Sequence, residues 1–183
     1  MSYLDRDGVS IYYEQRGAGP SVLLSHGYSA SARMWQAQMD ALSDNYHVIA
    51  WDMRGHDRSD SPDDPLLYSH EATIHDMAAV LDACGVGRAI IAGLSLGGFM
   101  SLAFHLAHPS RTEALMLFDT GPGYKKDDGR AGWNKLANSM AEAYEKKGLA
   151  AAGVSAAVLS SGEAQAQGIR WDYEADVVVL GSA

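Results

Sequence analysis

Apolar residues along this chain fall into short blocks at two alternating spacings. Val9 to Gln15 is rich in β-branched and aromatic residues, and Asp7-Gly8 before it is a hairpin-type turn pair, which predicts two antiparallel strands over Ser2 to Gln15. Val22-Leu23-Leu24, His47 to Trp51, Ala89 to Leu94 and Glu113 to Asp119 are brief, almost continuous apolar runs, as expected of strands covered on both faces. Between them the spacing widens to a helical period. Trp35, Met39 and Leu42 share one face, and so do Ile74, Met77, Ala78 and Leu81 within Thr73 to Cys84. Phe99, Leu102, Ala103 and Leu106 form the stripe expected between Leu96 and His108, with Pro109 as the stop. Strands alternating with helices of this length predict an α/β fold, a mostly parallel sheet flanked by helices. Chemistry in such sheets gathers at the carboxyl ends of the strands, here the loops after Ser25, Trp51, Leu94 and Asp119.

Beyond Gly121 the pattern changes. Pro122 and Gly123 break regularity, and Lys125-Lys126-Asp127-Asp128 reads as a solvated charge cluster. Trp133, Leu136, Ala137, Met140 and Tyr144 then predict an amphipathic helix, and Asp176 to Gly181 a last apolar strand. Between these, Leu149 to Gly168 is rich in Ala, Ser, Gly and Gln and only weakly periodic.

Composition narrows the function classes. The 183 residues are room for one ordinary domain, and the net charge of −9 argues against neutralising nucleic-acid phosphates. The single Cys84 excludes an intrachain disulfide framework. No apolar run has the roughly 18 residues of a membrane span. The N-terminal residues carry neither a basic nor an apolar leader pattern, so a cytoplasmic location is expected.

Gly93-Leu94-Ser95-Leu96-Gly97 matches G-x-S-x-G, placed after the predicted strand Ala89 to Leu94 and before the predicted helix. A sharp strand-to-helix turn holds such a serine in strained geometry with its hydroxyl outward. Gly93 and Gly97 would let neighbouring backbone pack against the turn, and the Leu96 amide would point at a developing oxyanion. The structural alternative is that Ser95 simply caps the following helix.

With these residues in place, the chain resembles the α/β-hydrolase fold family in its Ser-nucleophile branch. Three segments carry the resemblance: His26-Gly27-Tyr28-Ser29, similar to the oxyanion loop; Asp52 to Asp60, similar to the D-x-R-G-H-G-x-S loop; and Gly93 to Gly98, similar to the nucleophile elbow. The resemblance implies that Ser95 is the nucleophile and that the backbone amides of Tyr28 and Leu96 form the oxyanion hole. It also implies that His26 buttresses the oxyanion loop, that Asp52 and Arg54 pair as scaffold groups, and that Asp57 stands where the family usually has glycine. A serine at this position disfavours the carboxylate-nucleophile chemistry of the family's haloalkane dehalogenases and epoxide hydrolases. Ester, lactone, thioester or carbon–carbon bond hydrolysis remains. The expected substrate is a small acyl compound, with no cofactor and no metal.

The family's order is Ser, then an acid, then His. Every histidine here precedes residue 109, and His105 and His108 lie along the helix that Ser95 opens, at about 15 Å or more from its start. The general base is therefore unassigned, and Asp119 is a candidate acid, the structural alternative being a loop-start residue that caps the turn with Thr120. Two readings stand: a serine hydrolase, and a truncated or hybrid relative that keeps the pocket without its base. Three segments are expected: 1–124 as hydrolase core, 125–168 as partial helical cap or linker, and 169–183 as final strand or foreign tail. For the foreign-tail reading, Trp171 to Ser182 resembles the opening strand of flavin-dependent dehydrogenases, although its glycine fingerprint is incomplete and no flavin is assigned. A sheet lacking its last strands would expose an edge, so self-association is the one macromolecular contact expected.

Overall fold

The computed structural model describes residues 2–121 and 126–148 and the backbone of 177–180. Strands β1 (Ser2–Arg6) and β2 (Val9–Arg16) form an antiparallel hairpin with Arg6 opposite Val9. Its two turn residues, Asp7 at φ 56° and Gly8 at φ 83°, are both left-handed, as a two-residue turn matching strand twist requires. The Asp5 carboxylate accepts the Gly8 N–H at 3.2 Å.

The strands that follow are β3 (Ser21–Ser25), β4 (His47–Trp51), β5 (Ala89–Leu94), β6 (Thr112–Phe118) and β7 (Val177–Leu180). The sheet order is β1-β2-β4-β3-β5-β6-β7. Pairing is antiparallel as far as β2–β4 and parallel from β4 onward. The β7 backbone lies in register with β6, Val177 opposite Leu115 and Val179 opposite Leu117, which makes it a strand of this sheet. The side chains of Val177 and Val179, and the segments Leu149 to Gly168 and Trp171 to Asp176, lie outside the described residues.

Side-chain alternation sorts the core onto two faces. Leu23, Ile49, Ile91, Leu115 and Leu117 face helices α2 (His70–Ala83) and α3 (Leu96–Ala107). Val22, Leu24, Val48, Ala50 and Ala92 face the 3₁₀ turn Ala32–Trp35 and helix α1 (Gln36–Leu42) through Ala32, Trp35 and Met39. The chain steps from β3 to β4 through α1, then back across β3 to β5 through α2. The direction of winding reverses there, and this opens a crevice at the carboxyl ends of β3 and β5.

Two helix readings need correction. Helix α2 starts at His70 and not Thr73, because Ser69 caps it by accepting the Ala72 N–H at 3.1 Å. In α3 the expected Phe99, Leu102 and Ala103 pack against the core as partly buried residues, but Leu106 is 74% exposed and the fully buried positions are Gly97, Gly98, Met100, Ser101 and Phe104. This helix is apolar nearly all round, so composition does not select the face. The small Gly97 and Ser101 do, because they let the helix sit close on the sheet.

Helix α4 (Asp127–Lys147) belongs to a second compact unit and is described by itself. It covers the predicted amphipathic segment and includes Asp127-Asp128, read from the sequence as part of a solvated charge cluster, in its first turn. Acidic residues there and Lys146-Lys147 in the last turn both complement the helix dipole. Among the described residues no helix is long and apolar enough to cross a membrane, and no group of three or more His, Cys, Asp or Glu is placed to hold a metal.

Candidate active site

Ser95 sits between β5 and α3 with φ 50° and ψ −113°, a left-handed backbone that strains a residue bearing a Cβ by about 1–3 kcal/mol. Its neighbours hold it there. The Ser95 N–H donates to the Phe118 carbonyl at 2.9 Å. The Ser95 carbonyl accepts the Phe99 N–H at 3.0 Å and the Thr120 hydroxyl at 2.6 Å. The glycines leave the necessary room. A Cβ on Gly93 would lie 2.2 Å from the Gly97 carbonyl carbon, one on Gly97 would lie 2.2 Å from the Ser25 oxygen, and one on Gly98 would lie 2.4 Å from Thr120 Cγ2. The G-x-S-x-G-G spacing is thus two backbone contacts, at Gly93 and Gly97, and one side-chain contact, at Gly98, closed around one strained residue. The exposed Ser95 side chain makes no cap hydrogen bond, which overturns the helix-cap alternative.

The loop after β3 runs alongside. A Cβ on Gly27 would lie 3.6 Å from Ser95 Cβ, in ordinary contact, so the His26–Gly27–Tyr28 backbone passes next to the serine. Leu96 is the first residue of α3, and its amide is one of the helix-start N–H groups without an intrahelical acceptor.

The loop from Asp52 to Asp60 clamps this arrangement from below. His26 is fully buried; its Nε2 accepts the Met53 N–H at 3.0 Å, so its Nδ1–H is the donor to the Gly27 carbonyl at 2.8 Å. Desolvation by burial lowers its pKa to about 4, and the ring is neutral at pH 7. With both nitrogens engaged, His26 is a strut and not a base. The buried Asp52 carboxylate accepts the Ala32 N–H at 2.6 Å and pairs with Arg58 Nε at 3.1 Å. The expected Asp52–Arg54 pair does not form. Arg54 instead grips buried Asp76 of α2 with two hydrogen bonds, at 2.6 and 2.9 Å.

Asp119 follows β6 at φ 44°, exposed at the end of the strand next to the one carrying Ser95. Of the seven histidines, none is hydrogen-bonded to Ser95. His47 begins β4 at the opposite end of the sheet and bonds Gln15 and Ser21. His56 lies against His26 with ring centroids 4.7 Å apart, and His70 meets Phe99 edge-on at 5.1 Å. Sequence reasoning missed the pairings of Asp76, Arg58 and Thr120. Their partners are 22, 6 and 25 residues away, and no local pattern announces such pairs.

The family model of the alpha/beta hydrolase fold matches residues 20–167. The chain belongs to the α/β-hydrolase fold family. RutD of Azorhizobium caulinodans, which carries the name of a carbamate hydrolase, is 36% identical over 129 residues, covering 70% of this chain and 47% of its own length. An epoxide hydrolase of Caballeronia sordidicola is 36% identical over 110 residues, covering 60% of this chain and 33% of its own. The crystal structure of the enol-lactonase from Burkholderia xenovorans LB400 superposes with a TM-score of 0.73 at 27% identity, over 86% of this chain and 58% of that one. The chain spans about half or less of the length of the curated relatives it matches.

Within this α/β-hydrolase, Asp57 marks a local departure. It occupies the position where the resemblance places glycine, and its φ of 39° shows why glycine suits that site. The carboxylate has a use there. It pairs with Arg33 at 2.7 Å and Arg58 at 3.3 Å, joining this loop to the Ala32–Trp35 turn, and the Arg33 hydrogen bond holds its pKa below the usual carboxylate value.

Proposed function

We propose that this chain carries the nucleophile half of a serine acyl-hydrolase site for a small ester, lactone or related compound. The observation that carries this reading is the strained Ser95, held at φ 50° between β5 and α3 with the Gly27 backbone beside it. In the reaction so proposed, the Ser95 hydroxyl attacks the acyl carbon, and the Tyr28 and Leu96 amides receive the charge on its oxygen. Asp119 is the candidate acid. The relatives' names divide between epoxide opening and hydrolysis of a carbamate or enol-lactone. Serine in place of a carboxylate nucleophile favours the acyl side of that division.

No described histidine is bonded to Ser95, and attack by a hydroxyl at neutral pH needs a base. This supports the second reading, a relative that retains the pocket without full turnover. The two readings differ in rate. Hydrolysis of a p-nitrophenyl ester by this chain is expected to be slow and still reduced by Ser95→Ala, because an oxyanion hole and binding alone sustain about 10³–10⁴ over water. Ordinary enzyme rates abolished by Ser95→Ala would show that a base operates. No difference between the two proteins would reject Ser95 as nucleophile.

A further inference from the structure

We propose that Thr120 is a positioning residue that aims the oxyanion hole through the Ser95 peptide. This rests on the reading of Ser95 as nucleophile. The Thr120 hydroxyl donates to the Ser95 carbonyl at 2.6 Å. That carbonyl and the Leu96 N–H belong to one planar peptide and point in opposite directions. Anchoring the oxygen therefore fixes the direction of the amide assigned to the oxyanion. The bond also draws electron density toward the carbonyl, which strengthens the amide as a donor.

The same side chain makes a second contact, because its Cγ2 would lie 2.4 Å from a Cβ on Gly98. A β-branched residue has few χ1 wells, so hydroxyl and methyl are set together. Two residues earlier, the Phe118 carbonyl accepts the Ser95 N–H at 2.9 Å. The tip of β6 thus holds the Ser95 backbone on both sides, by its N–H and by its carbonyl. Asp119, between the two anchors, is itself left-handed at φ 44°. A single lacing therefore fixes the nucleophile, the oxyanion amide and the backbone of the candidate acid. A threonine that merely ended a strand would satisfy its hydroxyl locally, whereas this one reaches 25 residues back in the chain.

Thr120→Val keeps the shape and removes the donor; Thr120→Ser keeps the donor and removes the methyl. Expected for Thr120→Val is about a tenfold fall in the Ser95-dependent part of p-nitrophenyl ester turnover, with KM within about twofold, since loss of a whole oxyanion donor costs about 10²–10³. Faster exchange of the Ser95 and Phe99 amides should accompany it. Thr120→Ser should restore both to within about threefold. Unchanged turnover and exchange in Thr120→Val would overturn the proposal, as would a Thr120→Ser protein as impaired as Thr120→Val. Should wild type and Ser95→Ala turn over equally, the reading of Ser95 fails by itself. The exchange comparison then decides alone whether the hydroxyl holds the Ser95 peptide.

Discussion

The elbow at Gly93 to Gly98 and the loop from Asp52 to Asp60 both fix the same serine's surroundings, but by opposite means. The elbow is held by absence of side chains: at Gly93 and Gly97 backbone meets backbone where any Cβ would collide at 2.2 Å. The loop is held by buried polar groups, with His26, Asp52 and Arg58 engaged in specific hydrogen bonds. The first device is indifferent to pH and intolerant of volume. The second tolerates no loss of charge or change of protonation. A site built from both has two separate ways to fail, and they can be told apart.

Asp52→Ala should have the largest effect. It removes the fully buried carboxylate that Arg58 Nε and the Ala32 N–H share, Arg58 keeping Asp57 at 3.3 Å, at a cost of about 3–5 kcal/mol in urea unfolding. A loss comparable to that of an exposed pair would mean that the clamp is ornamental. Gly97→Ala should come next, at about 3 kcal/mol, the upper end for overpacking, because the new Cβ meets strand backbone and not a flexible side chain. If Gly97→Ala is neutral, the elbow is looser than its geometry indicates.

Acid should act on the clamp alone. His26 is neutral in the fold with a pKa of about 4, whereas the unfolded chain binds a proton near pH 6.5. Its contribution is present above pH 6.5 and is lost as pH falls toward 4, amounting to about 2 kcal/mol between pH 7 and pH 5. A His26→Gln protein should lose this part of the pH dependence, and Gly97→Ala should keep it. Identical acid profiles for wild type and His26→Gln would remove His26 as the strut.

The two devices also differed in how far the sequence disclosed them. The elbow was legible because its requirement is local: three glycines and a serine within six residues, between a strand and a helix. The hairpin at Asp7-Gly8 was readable for the same reason. The clamp was only half legible. Its loop was recognisable, but Arg54 and Asp52 were each assigned the other as partner. In fact Arg54 meets Asp76, and Asp52 meets Arg58. Charged residues of either sign are plentiful near this loop, and only the path of α2 decides which carboxylate meets which guanidinium. The α3 stripe is legible for Phe99, Leu102 and Ala103 but not for Leu106, because in a helix apolar on nearly all sides the small residues set which positions are fully buried.

The central claim is that Ser95 is a reactive nucleophile beside a preformed oxyanion site. Incubation with a fluorophosphonate probe, followed by intact-mass measurement and peptide mapping, tests it most directly, since phosphonylation needs the nucleophile and the hole but no completed turnover. The account predicts a single adduct on Ser95, slow in forming because no histidine is bonded to the hydroxyl, and absent from Ser95→Ala. A protein that acquires no adduct, or acquires it equally on other serines, would contradict the account.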